Sequence, residues 1–169
     1  LTSQIWLIYE KDNDWHTEAV GTISDPAKIP LPVDISISAD DKYLWVNTWN
    51  DGMTRVFDIT NPHNAELAFE HKIGDQVNML SQSWDGKRVY FTSSLLANWD
   101  KPNEAGAEGK EGVPQFFKAF TFEGGSLSHK FTIDFGAQKL GMPHQMRFGA
   151  YSLYAKTPEN SKNLAELSR

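Results

Sequence analysis

The chain contains no cysteine, has no long apolar run and carries no excess of positive charge. Without cysteine, its 169 residues can form neither disulfide bonds nor thiolate–metal bonds among themselves, and the redox compartment stays open. A membrane-spanning helix needs about 20 consecutive apolar residues, so we predict no membrane span. The net charge of −6 argues against nucleic-acid binding, because little positive charge is available to neutralise phosphates in bulk.

Aromatic residues are plentiful by contrast. Six tryptophans and ten phenylalanines favour packed β structure over disorder. The length suffices for a sizeable core. The first residue is leucine, and we expect it to follow a cleavage site or an artificial boundary, with further sequence upstream.

An internal repeat gives the clearest signal of architecture. The segment Ile35–Val46 recurs about 45 residues later as Leu80–Phe91, with serine, serine, aspartate and lysine at matching places. Two strands around a tight turn, repeated every 40–50 residues or so, are typical of β-propeller blades. Only two full periods fit, and a propeller closes into a ring to remove its sheet edges. We therefore expect an all-β portion of a larger propeller.

The predicted organisation comprises about two full four-stranded blades and parts of two others. The outer strands of one blade fall in 1–31, full blades in 32–75 and 76–137, the start of another in 138–156, and a polar tail in 157–169. The predicted strands are Gln4–Tyr9, Trp15–Ile23, Val33–Ser38, Tyr43–Thr48, Thr54–Ile59, Glu66–Ile73, Asn78–Ser83, Arg88–Ser93, Gln115–Phe122, Leu127–Phe135, His144–Phe148 and Tyr151–Tyr154. The second full blade carries a long loop at 99–113. Tyr43–Val46 is apolar throughout, which predicts a strand buried on both faces.

Among five histidines, none shows a local metal-ligand spacing. His16, His63, His71 and His129 are interpreted as surface or structural residues. His144 differs, because it opens a predicted innermost strand, where propeller side chains face the central channel. Such an imidazole could ligate a metal or transfer protons, or it could simply be a hydrogen-bonded channel residue.

Other candidate residues line the same predicted channel. Asp34 and Asn78 open the innermost strands of the two full blades, and Arg147 lies on the strand that His144 opens. Trp99, Asp100 and Lys101 begin the long loop. They could shape access at the channel mouth, or form an aromatic plug with a weak local ion pair.

Several segments together have the character of a known family. They include Pro32–Ile35, Ser83–Tyr90, the stretch from Thr92 to Lys101 that ends in Trp-Asp-Lys, Asp134–Gly136, and Pro143-His144-Gln145-Met146-Arg147-Phe148. In these segments the chain resembles the selenium-binding protein/methanethiol oxidase family. The likeness runs in order over nearly all of residues 4–148. Two departures stand out: Gln145 replaces a usual glutamate, and the tail beyond Gly149 does not follow the familiar ending.

The resemblance implies a seven-bladed propeller that oxidises methanethiol to formaldehyde, hydrogen sulfide and hydrogen peroxide. It implies copper as the metal of bacterial members, His144 as a candidate copper ligand, and possible association with selenium. The remaining ligands would lie in an amino-terminal portion, whose blades would be the partners of this chain. Export of bacterial members favours the periplasm. A homo-oligomer is possible.

Two other functions remain open. The propeller could bind a selenium or sulfur ligand, or a protein partner, without turnover. It could also be another channel-metal enzyme, such as a lactonase-like hydrolase. Inner-strand histidines upstream of Leu1 and peroxide release from methanethiol would discriminate among these hypotheses.

Overall fold

The computed structural model describes residues 2–95 and 115–147. Those ranges contain strands and one short 3-10 helix, Pro26–Lys28, and no helix in them is long and apolar enough to cross a bilayer. The strands are β1 (Gln4–Lys11), β2 (Asp14–Thr22), β3 (Pro32–Ile37), β4 (Tyr43–Thr48), β5 (Met53–Asp58), β6 (Glu66–Lys72), β7 (Leu80–Gln82), β8 (Arg88–Thr92), β9 (Phe116–Glu123) and β10 (Ser126–Asp134).

These strands form three antiparallel sheets. Strands β1 and β2 make a two-stranded first sheet, β3 to β6 a four-stranded second sheet, and β7 to β10 a four-stranded third sheet. Within each sheet, strands that follow one another in the chain are also neighbours in space. The predicted all-β class, with two four-stranded blades after a partial one, is confirmed.

The second sheet is buried on both faces. Leu44 and Val46 of β4 belong to an apolar cluster shared with the first sheet, whereas Trp45, between them, belongs to a cluster shared with the third sheet. Successive side chains of a strand point to opposite faces, so one strand supplies both interfaces. The prediction of a strand buried on both sides is correct for β4.

The two full sheets share the same inner turn. Ser38 and Ser83 each accept a hydrogen bond from the backbone N–H five residues on, at 3.0 Å, and each donates its hydroxyl to an aspartate two residues on. That aspartate, Asp40 or Asp85, accepts in turn from the backbone of the following lysine. The repeat therefore encodes a hydrogen-bonded turn.

Two predicted inner strands differ from the structure. Strand β7 is limited to Leu80–Gln82, and Asn78 precedes it, although Asn78 N still donates to Thr92 O at 2.7 Å. Residues 144–147 form no strand, and Phe148 lies outside the described residues. The physical reason is that side chains of the third sheet bind the backbone carbonyls of this segment: Thr92 Oγ1 donates to His144 O at 2.7 Å. The predicted partner strand, Tyr151–Tyr154, also lies outside the described residues.

The backbone conformation of Gly86 in the inner turn allows a test of whether the two repeated turns are equivalent. Gly86 has φ 68°, and a Cβ built there would meet no atom within 4 Å. Gly86→Ala should therefore lower the free energy of unfolding by about 1 kcal/mol through backbone strain alone. Urea denaturation measures this change.

The matched control is Asp41, which occupies the equivalent place with φ 57°. Asp41→Gly should change the free energy of unfolding by less than about 0.5 kcal/mol, because aspartate tolerates this region and glycine adds entropy to the unfolded chain. If Asp41→Gly lowered the free energy of unfolding as much as Gly86→Ala does, the two turns would not share the backbone conformation that the repeat implies.

Candidate functional site

The candidate site lies where the inner strands of the second and third sheets meet the segment 143–147. Strands β3 and β7 are adjacent here, since Gln82 Nε2 donates to Ser36 Oγ at 2.8 Å and Leu80 N donates to Asp34 Oδ2 at 2.8 Å. Four predicted channel residues lie at this edge. Asn78 and His144 contact each other, while Asp34 and Arg147 line a neighbouring groove.

The His144 imidazole is held by a backbone carbonyl. Its Nδ1 lies 2.9 Å from Ser94 O. A carbonyl oxygen can only accept, so the hydrogen-bond network assigns the proton to Nδ1. The neutral ring then carries its lone pair on Nε2, which is the form in which histidine binds a metal or accepts a proton. The side chain itself is exposed.

Asn78 is completely buried beside this imidazole. Its Nδ2 donates to the same Ser94 carbonyl and lies 3.5 Å from His144 Nδ1. Its backbone carbonyl accepts a hydrogen bond of 2.7 Å from Asn47 Nδ2. Within the described part of the chain, Asn78 Oδ1 is buried without a hydrogen-bond partner.

The segment that carries His144 is anchored through its backbone to the third sheet. Ser94 N donates to Pro143 O at 3.1 Å, and Ser81 Oγ donates to Met146 O. Together with the bond from Thr92 to the His144 carbonyl, these contacts hold three carbonyls of the segment. The position of His144 is therefore set by the preceding blade.

The bonds at the inner edge also reveal two equivalent donors that sequence reasoning missed. Asn47 and Thr92 follow directly after the repeated segments Ile35–Val46 and Leu80–Phe91. Asn47 donates its side chain to the carbonyl of Asn78, and Thr92 donates its own to the carbonyl of His144. Asn78 and His144 thus accept equivalent hydrogen bonds, each from the residue that follows a repeated segment. Extending the repeat by one residue would have identified the two donors.

A groove of about 480 Å³ runs along the inner strands. Its polar wall includes Asp34 and Arg147. Burial raises the pKa of Asp34 above its ordinary value of 3.8, while backbone hydrogen bonds at Leu80 and Ile35 and the charge of Arg147 act in the opposite direction. The apolar wall is formed by Ile35, Ile37, Leu80 and Trp84.

Trp99, Asp100 and Lys101, predicted at the channel mouth, lie outside the described residues. Within 2–95 and 115–147, no three histidine, aspartate or glutamate side chains gather closely enough to hold a metal ion. His16, His63 and His129 are exposed and His71 is half-buried, all on the outer strands or turns. His144 is the imidazole that the described residues bring to the inner edge.

Four-stranded antiparallel sheets that pack face to face, with their first strands adjacent, define blades of a β-propeller. The β-propeller domain of Cps50 (Swd1) from Myceliophteria thermophila shares this fold, with a TM-score of 0.52 and 12% identity over 79% of this chain and 38% of that one.

The chain belongs to the 56 kDa selenium-binding protein family (SBP56), whose family model matches residues 1–152. It is 54% identical over 156 residues to a protein from Ruegeria pomeroyi named methanethiol oxidase, covering 92% of this chain and 34% of the relative. The solved structure of a hypothetical selenium-binding protein from Sulfolobus tokodaii is 28% identical, with a TM-score of 0.60 over 79% of this chain and 35% of that one. The chain spans about a third of the length of the curated relatives it matches.

The raised pKa of Asp34 predicts a pH dependence of stability. The folded protein binds the Asp34 proton more tightly than the unfolded chain does, so this carboxyl contributes most to stability at low pH. Its contribution should be lost as the pH rises from 3.8 through the raised folded value. Asp34→Asn lacks this titration.

The free energy of unfolding of the wild type should therefore fall relative to that of Asp34→Asn as the pH rises across this window. Urea denaturation at a series of pH values measures the difference. A wild type that gains stability relative to the variant with rising pH would contradict the burial argument.

Proposed function

We propose that the complete polypeptide containing these blades is a copper-dependent methanethiol oxidase, and that this chain contributes its carboxy-terminal blades. The reaction would convert methanethiol, O2 and water into formaldehyde, hydrogen sulfide and hydrogen peroxide. The C–S bond breaks, the methyl carbon is oxidised to the aldehyde level, and O2 takes up two electrons and two protons. Family membership and the name of the Ruegeria pomeroyi relative support this proposal.

The observation that carries the proposal is the His144 imidazole at the inner edge. Its Nδ1 is engaged by Ser94 O at 2.9 Å, which leaves Nε2 as the ligating nitrogen. Imidazole suits copper, and bound copper would supply one-electron redox chemistry with an open position for a small ligand. His144 would hold the metal together with ligands from other blades.

The groove beside His144 suits a small thiol. Ile35 and Ile37 are 65% and 54% exposed on the inner strand β3, so apolar surface faces the groove. Such a surface favours a methyl group, and Asp34 and Arg147 in the same lining offer charges to a polar product. The sequence places Gln145 where the family resemblance expects glutamate, so this part of the groove carries a neutral amide.

The first sheet supports the existence of further blades. Leu7 faces the second sheet, whereas Trp6 and Ile8 on the opposite face of β1 are 54% and 65% exposed. Trp15 on β2 adds to this apolar face, at 69% exposed. A face of this kind is what a preceding propeller blade would cover.

Replacing His144 tests the metal assignment. In the complete polypeptide, His144→Ala should lower copper content at least about tenfold, because it removes a ligating nitrogen. Elemental analysis of the purified protein measures copper, and peroxide release from methanethiol measures turnover.

His129→Ala is the matched control, because His129 is exposed on β10, away from the inner edge. It should retain both copper and turnover. Undiminished copper in His144→Ala would remove His144 from the site. A wild type that binds copper without producing peroxide would favour a non-catalytic binding propeller.

The 169-residue chain by itself should be inactive. One imidazole cannot hold copper firmly, and the described residues bring no second histidine to the inner edge. Copper titration followed by desalting, with the methanethiol assay on the same sample, tests this expectation. Retained copper with turnover would mean that this chain contains the whole site.

A further inference from the structure

Two donors converge on one buried oxygen at the candidate site. Ser94 O accepts from Asn78 Nδ2 and from His144 Nδ1, and the two donor nitrogens lie 3.5 Å apart. Donors that share an acceptor lie close together without bonding to each other. Asn78 therefore acts on His144 through the Ser94 carbonyl.

The orientation of the Asn78 amide follows from the same contact. If the amide were turned, Oδ1 would face the Ser94 carbonyl oxygen, and two acceptors would repel each other. Asn78 is fully buried and Ser94 is 4% exposed. Water is therefore poorly placed to replace a lost hydrogen bond, and the amide is costly to remove.

The Asn78 backbone is held from two sides. Its N–H donates to Thr92 O at 2.7 Å, and its carbonyl accepts from Asn47 Nδ2 at 2.7 Å. The Ser94 backbone is held as well, because its N–H donates to Pro143 O. The amide and the carbonyl consequently have little freedom to move apart.

We infer that Asn78 is a positioning residue for His144: its buried amide holds the Ser94 carbonyl where that carbonyl keeps the imidazole proton on Nδ1 and leaves Nε2 for a metal. The inference rests on the proposed role of His144 as a copper ligand. The proposed function requires only that the His144 imidazole binds the metal. Asn78, acting through the Ser94 carbonyl, would in addition determine the tautomer and the orientation of that imidazole.

Asn78→Ala in the complete polypeptide tests the inference. Without the amide, the Ser94 carbonyl is no longer held in place by the Asn78 side chain and can turn away from Nδ1, so the His144 ring should populate both tautomers. Loss of such an orienting partner typically costs about 10–100-fold in metal affinity. Copper affinity is measured by competition with a chelator, and the copper EPR spectrum reports the ligand geometry.

A readout that does not involve copper is the nitrogen NMR spectrum of His144 in the metal-free protein. The wild type should show the proton on Nδ1, and Asn78→Ala should show a mixture of tautomers. A wild type with the proton on Nε2 would overturn the inference without any variant. If Asn78→Ala does not fold, Asn78→Leu, which fills the space without polar atoms, carries the same test.

Asn50→Ala is the control. Asn50 also donates its side-chain amide to a backbone carbonyl, Ile29 O at 2.7 Å, and this contact involves none of Asn78, Ser94 and His144. The variant should leave the His144 tautomer and the copper EPR spectrum unchanged.

The outcomes separate the two proposals. If His144→Ala loses copper and Asn78→Ala keeps wild-type affinity, tautomer and EPR spectrum, the inference fails and the proposed function stands. If the wild type binds no copper, the proposed function fails, and the NMR result alone decides whether Asn78 sets the tautomer. Equal changes in Asn78→Ala and Asn50→Ala would reduce Asn78 to a structural role.

Discussion

The burial of the second sheet on both faces is the constraint on which the rest of the structure depends. Trp45 contacts Phe69 and Phe122 edge-on, with ring centroids 5.6 and 4.9 Å apart, and thereby joins the second sheet to the third. Leu44 and Val46 face the first sheet. Burial of each large apolar side chain contributes about 1.5–3 kcal/mol, and edge-on aromatic pairs add to it. These contacts fix the angle between neighbouring sheets.

Once the sheets are fixed, their inner strands meet, and the contacts there are polar. Apolar side chains fill the space between the faces, whereas hydrogen bonds link neighbouring blades at the inner edge. Asn47 donates to the carbonyl of Asn78, and Thr92 donates to the carbonyl of His144. Because the bonds reach backbone atoms, they position a segment whatever side chains it carries. This arrangement allows an asparagine and a histidine to accept equivalent hydrogen bonds.

The candidate site combines rigid support with exposure. Asn78 and Ser94 are buried, while His144 is exposed at the end of their hydrogen-bond network. A ligand held on one nitrogen by a buried carbonyl presents the other nitrogen in one orientation. Asp34, half-buried at the start of the neighbouring groove, has a carboxyl whose charge is disfavoured by burial and partly compensated by backbone donors. The His144 imidazole and the Asp34 carboxyl thus lie close together at the inner edge but in different electrostatic surroundings.

Much of the fold was predictable because its signals are local. The serine and aspartate of each inner turn bond within five residues, so Ser38-x-Asp40 and Ser83-x-Asp85 reveal the hairpins directly. The burial of β4 on both faces is also a local signal, because the strand carries apolar residues at successive positions. The prediction of a strand at His144 was wrong, because the sequence of an extended segment looks the same whether the segment pairs with a strand or is held by side chains of another sheet.

The sequence by itself determined the strand order, the hairpin turns and the family, since each depends on residues close together in the chain or on motifs read in order. It also singled out His144, although not what holds it. Only the tertiary structure decided the tautomer of that imidazole, because the deciding partner is the main-chain carbonyl of Ser94, 50 residues earlier. A carbonyl is common to every residue and leaves no mark in a sequence, so its role emerges only when folding brings it to the ring.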